Sequence, residues 1–512
     1  MLIARHILLL ALVLSATATL AQTRITLDSQ HRNSVVSPLL FGTNIQWEKN
    51  GDHILSGQTG RLDVATLAAV KSLRLSSIRF PGGDLANTYR WKDGIGETRK
   101  RNPGRSYAGT SVASTFGTDE LIALANEAAI EPIITVNVSA GAAEAADWVE
   151  YLNGSIDTRW GALRAAHGNA NSLSVKYWEI GNELYSPHQP GHTTAHEYAR
   201  NVRAFAAAMR ARDASIKIGL SLEASFTEAA WMPSVMPHLS GWNEAVLKMV
   251  GQEIDFVVLH FYAPHDTVWW EAELSQITLA APLVFTRSMA RISSLLAQYA
   301  RADVEMALTE FGTAYGEKFV LSKRIAATDS ALFAALVLFA AMREPRLKLV
   351  NHWSLLNNSQ YGMLVSEGEA GLSRRPVYEV YRLLAPFQKM RGINVSITGA
   401  PSYPVRAKGS VPAIAEVAMI DAVAAIGDEG QILLAIVNRD PSRTHAIKLA
   451  LASGLDKAYT ARIESVAGKR GALKWNAAVV SHHVGKLADL PIEVPSHAIL
   501  VLTLGAPSGQ KP

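Results

Sequence analysis

Two periodicities alternate along the first three-quarters of the chain. Short unbroken apolar runs, of strand length, fall at 39–47, 77–83, 132–138, 175–183, 217–222, 256–262, 305–312 and 349–355. Between them, apolar residues recur every three or four positions, as Tyr198, Val202, Phe205 and Met209 do. That spacing predicts amphipathic helices. Thr194 with Glu197 forms a capping box ahead of that helix, and Thr118 is a cap for the helix through Leu121, Leu124 and Ala128. The apolar stretch 331–342 is too short to cross a bilayer and predicts a buried helix. Eight strands alternating with helices predict an α/β fold, a (β/α)₈ TIM barrel. No Gly-rich phosphate turn argues for an open nucleotide-binding sheet.

After about Phe387 the helical spacing fades. Strand-like runs follow at 414–420, 431–438, 446–451, 459–466, 473–480 and 498–504, with turn signals at Gly427-Asp428-Glu429-Gly430 and Asn438-Arg439-Asp440-Pro441. Closely spaced strands of this kind predict a carboxyl-terminal all-β sandwich. The barrel is placed at 38–387 and the sandwich at 388–512, with residues 506–512 a frayed tail. Residues 24–28 read as an isolated strand. At the start, Arg5 and His6 precede an apolar core at 7–14, and Thr19-Leu20-Ala21 supplies small residues for cleavage. Residues 1–21 are therefore expected to be a signal peptide, with an amino-terminal anchor as the alternative, and the mature protein secreted or periplasmic in a bacterium.

Composition narrows the chemistry. Apolar residues make up 48% of the 512, enough for a large core. Lys+Arg 49 against Asp+Glu 45, a net charge of +4, is no nucleic-acid signature. The cysteine count is 0, which excludes disulfides, thiolate catalysis and zinc–thiolate sites. His260 and His265 lack the spacing of a usual zinc motif, so neither a metal nor another cofactor is expected. No membrane association is expected after signal removal.

Two carboxylates close predicted strands. Glu183 ends Tyr177-Trp178-Glu179-Ile180-Gly181-Asn182-Glu183, and Glu310 ends Thr309-Glu310 before Phe311-Gly312. Carboxyl groups at the carboxyl ends of different barrel strands are the machinery for cleaving a glycosidic bond. Glu183 would be the general acid and later the base, its pKa raised by partial burial and by the second carboxylate. A solvated helix-capping Glu is the alternative. Glu310 would be the nucleophile, kept ionised by nearby donors. Arg79, His260 and Tyr262 are candidates for that role; a structural ion pair for Arg79 and a satisfied core histidine for His260 are the alternatives. Glu179 reads as a deeper structural partner. Asn182 can donate to a sugar hydroxyl. Trp47, Trp269, Trp270, Trp353 and Tyr361 fall at or just after strand ends, where aromatic rings stack on sugars. The run Arg99-Lys100-Arg101 is a solvated surface or a grip for acidic substituents.

These stretches, with Arg79-Phe80-Pro81-Gly82-Gly83, Tyr89-Arg90-Trp91-Lys92-Asp93-Gly94, Phe116-Gly117-Thr118-Asp119-Glu120 and Val494-Pro495-Ser496-His497-Ala498, resemble in order the family-51 glycoside hydrolases, chiefly α-L-arabinofuranosidases. The resemblance implies a retaining (β/α)₈ enzyme with Glu183 as acid/base, Glu310 as nucleophile, Asn182 on the substrate, and Arg79 and Tyr262 around the nucleophile. It also implies that residues 22–37 add a strand to the sandwich, that the partner is a carbohydrate, and that homo-oligomers are common among members. Two positions depart from the family pattern. Gln46 stands where a Glu grips the furanose, and Asp84 where a Cys lies in the subsite. Both touch substrate recognition and leave the carboxylate pair intact. Competing expectations are another specificity in the same clan (endo-β-glycanase, β-xylosidase or uronic-acid glycosidase) and a non-catalytic carbohydrate-binding protein.

Overall fold

The computed structural model describes residues 22–505 apart from 107–108, 231, 267–270, 316–322, 357–359, 368–370, 454–457 and 491. The expected signal segment 1–21, Trp269, Trp270 and the tail 506–512 lie outside the described residues.

Eight parallel strands close into a barrel: Leu39–Asn44, Ser77–Phe80, Glu131–Val136, Tyr177–Ile180, Lys217–Glu223, Phe256–Asp266, Glu305–Tyr315 and Leu347–His352. Each coincides with a run predicted from the sequence. A TIM barrel followed by an all-β region is thus the fold class, as expected. Several predicted strands overran their observed ends, because the apolar run continues into the loop that carries the site. Thr194 caps the helix Ala195–Arg210 by accepting from the Glu197 backbone N–H, and Tyr198, Val202, Phe205 and Met209 form its buried face. Thr118 is not a cap. Gly117 takes that position, its backbone N–H donating to Glu120 at 2.8 Å, while Thr118 Oγ1 accepts from the buried Trp148 indole at 3.1 Å.

The helix Thr328–Arg343 is buried on nearly every side. It lies between barrel strands and the strands of the second sheet, which explains an apolar sequence with no polar face. That second sheet has nine strands, in the order Val479–Lys486, Ala458–Ala467, Ala498–Gly505, Ile432–Asn438, Ile420–Ile426, Arg391–Thr398, Thr23–Val35, His445–Leu451 and Ile492–Val494. The amino-terminal strand pairs antiparallel with Arg391–Thr398 and parallel with His445–Leu451. Alternate residues of Ile432–Asn438 enter two cores. Ile432, Leu434 and Ile436 join the sheet's own cluster with Ile25 and Leu502, while Leu433, Ala435 and Val437 join the barrel's. A strand covered on both faces reads as an unbroken apolar run. The strand expected at 473–480 begins instead at Val479; it is the sheet's edge, with Val479 and Val484 exposed. Among the described residues, no helix is long and apolar enough to cross a membrane.

Candidate active site

Side chains alternate along a strand, so the inward residues of the barrel stack in layers. Near the amino-terminal end the layer is apolar, a plug of Ile133, Tyr177, Phe256, Val258, Ala307 and Leu349. Two residues further along, the second, third and fourth strands supply Arg79, Thr135 and Glu179. Their polar groups then have no water to turn to and must satisfy one another. Arg79, fully buried, does most of this. Its Nε donates to Glu179 at 2.7 Å, Nη1 to Glu310 at 2.7 Å and to Asn44 at 3.3 Å, and Nη2 to Asn182 at 2.9 Å. Thr135 Oγ1 donates to Glu179 at 3.1 Å. Burial disfavours the guanidinium charge, but Glu179 and Glu310 outweigh it and raise its pKa. Glu179 is therefore the deep structural partner that the sequence suggests.

The other oxygen of Glu310 accepts from the Tyr262 hydroxyl at 2.8 Å. Burial and the Glu310 charge push that phenol well above its ordinary range. The nucleophile candidate thus holds a cation on one oxygen and a neutral donor on the other.

The fourth strand ends at Ile180, and the next residues leave regular geometry: Gly181 has φ +73° and Glu183 φ +46°. A side chain on Gly181 would meet Leu184 at 2.6 Å. A non-glycine residue held in this region is a recurrent mark of functional sites. The turn aims Glu183 across the barrel mouth. One carboxylate oxygen of Glu183 and one of Glu310 lie within 4.8 Å of each other. His260, expected beside the nucleophile, pairs mainly with the other carboxylate: Nδ1 is 2.7 Å from Glu183 and 3.9 Å from Glu310, and Nε2 is 3.2 Å from Thr309 Oγ1.

Burial pushes the Glu183 carboxyl up, but the hydrogen bond and charge of His260, with the charge of Arg79, outweigh it and lower its pKa. Burial likewise disfavours the imidazolium, but Glu310 and Glu183 outweigh it and raise the pKa of His260. The expected raised pKa of Glu183 is therefore corrected. The carboxylate and the imidazolium each favour the charged form of the other.

Asn182 is locked by Asn87, which accepts from its backbone N–H at 3.0 Å and donates to its carbonyl at 2.8 Å. Its side-chain oxygen is taken by Arg79, which leaves Nδ2 buried with no acceptor among the described residues. A buried donor without a partner is costly unless a ligand supplies one.

Above these groups opens a cavity of about 770 Å³, lined by Gln46, Asp84, Glu183, Tyr262, Glu310 and Trp353 among others. Arg79, Asn182 and His260 are buried and do not line it. Asp84 accepts a bond from Gln189. Burial pushes its carboxyl up to about 6, against the opposing pull of that bond. Tyr361 also lines the cavity. Trp47 does not. It is fully buried and packs so closely on Gly104 that a side chain there would meet its ring at 2.4 Å. In the basic run, Arg101 is neither solvated nor a substrate grip: it is buried and donates to both oxygens of Glu120, at 2.8 and 2.9 Å.

Sequence reasoning missed Asn44, Asn87 and Gln189. Gln189 accepts from Asn87 at 2.8 Å and reaches Glu183 at 3.4 Å, tying Asp84 to the acid candidate. Asn44 lies inside the predicted strand 39–47 and ends the observed one, so its place at the site was not marked in the sequence. Asn87 and Gln189 lie in loops with no local signature. Glu183, His260 and Glu310 are also the described residues best grouped to hold a cation. Arg79 and Tyr262 already occupy both oxygens of Glu310, however, and both imidazole nitrogens are engaged.

Residues 69–269 match the family model described as the alpha-L-arabinofuranosidase 1 domain. A Bifidobacterium longum protein named intracellular exo-alpha-(1->5)-L-arabinofuranosidase is 28% identical over 82% of this chain and 78% of its own. Alpha-L-arabinofuranosidase C of Emericella nidulans is 33% identical over 47% of each chain, so the match spans about half of that relative. Among solved structures, the family-51 α-L-arabinofuranosidase of Bifidobacterium longum superposes with a TM-score of 0.80 at 21% identity, covering 94% of this chain and 99% of that one. That likeness carries the fold. The expectation of a secreted or periplasmic protein is overturned: the first of these relatives, and others from Streptomyces lividans and Bacillus subtilis, are named intracellular. The ordered motifs, the family model over residues 69–269 and the relatives make the chain similar to the α-L-arabinofuranosidases, and its fold is that of the family-51 enzyme.

Proposed function

We propose that the protein releases α-L-arabinofuranosyl residues from saccharides by double displacement, with Glu310 as nucleophile and Glu183 as acid/base. The observation that carries this reading is the pair of carboxylates facing one cavity with oxygens within 4.8 Å. Retaining glycosidases hold their two carboxyl groups about 5–5.5 Å apart, whereas inverting enzymes need about 6.5–9.5 Å to fit a water between them. The names of the relatives support the sugar and a cytoplasmic setting.

In the first step Glu310 attacks the anomeric carbon and the glycosidic C–O bond breaks. Glu183 gives its proton to the departing oxygen. That proton starts on His260 and crosses the 2.7 Å bond as the leaving oxygen becomes basic. As Glu310 gives up charge to the new C–O bond, Arg79 stays neutralised by Glu179, so no unpaired cation is left in the barrel. In this reading Asn182 Nδ2, which has no acceptor among the described residues, donates to the hydroxyl beside the reacting carbon, a bond that strengthens as oxocarbenium character develops. In the second step Glu183, now ionised, takes a proton from water. The water oxygen bonds to the anomeric carbon and Glu310 departs. Two inversions give net retention.

Gln46 and Asp84 on the cavity wall make sugar preference the part to test by substrate panel. The catalytic assignment is tested by azide rescue. Glu310→Ala should lose several orders of magnitude in turnover and, with azide, form a glycosyl azide of inverted configuration. Glu183→Ala should give the retained azide. Near-normal activity of either variant in buffer alone would end the assignment.

A further inference from the structure

The sixth barrel strand contains an irregularity that the chemistry above does not use. Pairing between the sixth and seventh strands slips once between Leu308 and Glu310, runs in step from Glu310 with His260 to Ala314 with Pro264, then slips again so that Tyr315 faces Asp266. The extra residue is His265, at φ +54°. Bulges beside active sites re-aim side chains, and a histidine held at positive φ is strained unless its surroundings fix it. The ring of His265 is turned into the cavity.

What fixes it comes from far along the chain. The tight turn Lys408-Gly409-Ser410-Val411, closed by Lys408 N–H to Val411 at 2.8 Å and Val411 N–H to Lys408 at 2.9 Å, presses on the back of the bulge. Ser410 donates twice to the Pro264 carbonyl, from its backbone N–H at 2.7 Å and from its hydroxyl at 3.2 Å. Gly409 comes so near that a side chain there would stand 2.0 Å from the Pro264 oxygen and 2.9 Å from the His265 carbonyl carbon. Ser410 and Val411 are buried. The turn is a built support, and what it supports is the direction of one imidazole.

The ring has a partner. Phe226, in the loop after the fifth strand, lies 4.7 Å from His265 between ring centres and also lines the cavity. Its backbone N–H is held by Glu223 at 2.6 Å. Ser225 stitches the two loops, donating to the His260 carbonyl at 3.2 Å and accepting from the Tyr262 N–H at 3.1 Å. The carboxylate whose charge reaches His265 is Glu183, the group that protonates the departing oxygen. The cavity, at about 770 Å³, lies toward the upper end of the about 300–1,000 Å³ of ligand sites and has room for more than one five-membered ring. An apolar ring face beside an imidazole that can donate or accept suits a sugar, which offers C–H groups on one face and hydroxyls at its edge.

We infer that His265 and Phe226 form the leaving-group side of the site and take a sugar ring there, with the 408–411 turn as the device that positions His265. This rests on the arabinofuranosidase reading and specifies it: the preferred substrate carries a saccharide, not a small alcohol, as leaving group.

The test compares an arabinofuranosyl disaccharide with methyl α-L-arabinofuranoside, whose leaving oxygen is chemically similar but bears no ring. For His265→Ala the ratio of kcat/KM, disaccharide over methyl glycoside, should fall about tenfold, the effect of one lost hydrogen bond together with a ring contact. Ser410→Ala should lower the same ratio by a smaller factor, and Ser410→Thr, which keeps the hydroxyl, should restore it. An unchanged ratio in His265→Ala, whether both substrates are lost together or neither is affected, overturns the inference while leaving the catalytic assignment standing. A wild-type protein inactive on both substrates brings down the arabinofuranosidase reading, and this inference with it.

Discussion

Replacing Arg79 by Met probes the barrel's central arrangement. The side chain is fully buried and donates to two carboxylates and two amide oxygens. Met keeps most of the apolar volume and removes every donor. Glu179 would be left with Thr135 at 3.1 Å, and Glu310 with Tyr262 at 2.8 Å. Breaking a buried pair from one side costs about 3–5 kcal/mol, because the remaining charge is uncompensated. Here one cation serves two carboxylates, so the upper end of that range is expected. Turnover should fall separately, since Glu310 loses its cation; a lost electrostatic donor at a reacting group costs about 10²–10³ in kcat. The assay pairs urea unfolding, followed by tryptophan fluorescence, with kcat/KM on an aryl arabinofuranoside. The double variant Arg79→Met, Glu179→Leu separates the two effects. Removing the stranded carboxylate should recover part of the stability and none of the turnover. A single variant that loses less than about 1 kcal/mol would refute the claim that unpaired charge, and not packing, governs this layer.

Other predictions follow from the same geometry. With the pair's proton on His260, whose pKa is raised, activity should fall on the alkaline side only as that imidazolium titrates; in His260→Asn the proton can sit only on a carboxyl with an ordinary value of 4.5, so the alkaline limb of kcat/KM should move to lower pH. Burial raises Glu223 from 4.5 to about 7, so the folded protein holds a proton there that the unfolded chain releases. Its stabilising effect is complete below the unfolded value and is lost as pH rises toward 7. Glu223→Gln should therefore gain in melting temperature relative to wild type between pH 5 and pH 8, and a constant offset would contradict the assignment. Arg101→Ala, which strands Glu120 and the cap at Gly117, should cost about 3–5 kcal/mol, whereas Lys100→Ala at its exposed neighbour should fall within about 0.5 kcal/mol in the same urea titration.

The barrel was legible because its strands are covered on both sides, which writes each as an unbroken apolar run. Both carboxylates were legible because they end such runs. What stayed hidden depends on distant partners. Arg101 looks like surface charge beside Lys100; only the helix beginning at Thr118 brings Glu120 to it. Trp47 looks like a rim residue until Gly104 closes over it. The sheet's edge strand was placed six residues early because Leu473 is apolar but half-exposed, while the paired segment alternates Val, His and Lys with one face to water. Gln189 and the 408–411 turn act through loops, where no periodicity announces a contact. The lowered pKa of Glu183 could not be read either, since His260 meets it only in the folded barrel.

The central claim is that Glu310 forms a bond to the sugar while Glu183 manages the proton. The most direct measurement is mass spectrometry of Glu183→Ala quenched during reaction with an aryl arabinofuranoside whose leaving group needs no acid. Without its base the variant should accumulate a covalent adduct, heavier by one arabinofuranosyl group, and peptide mapping should place the ester on Glu310. An adduct on another carboxylate such as Asp84, or product of inverted configuration with no adduct at all, would contradict the account.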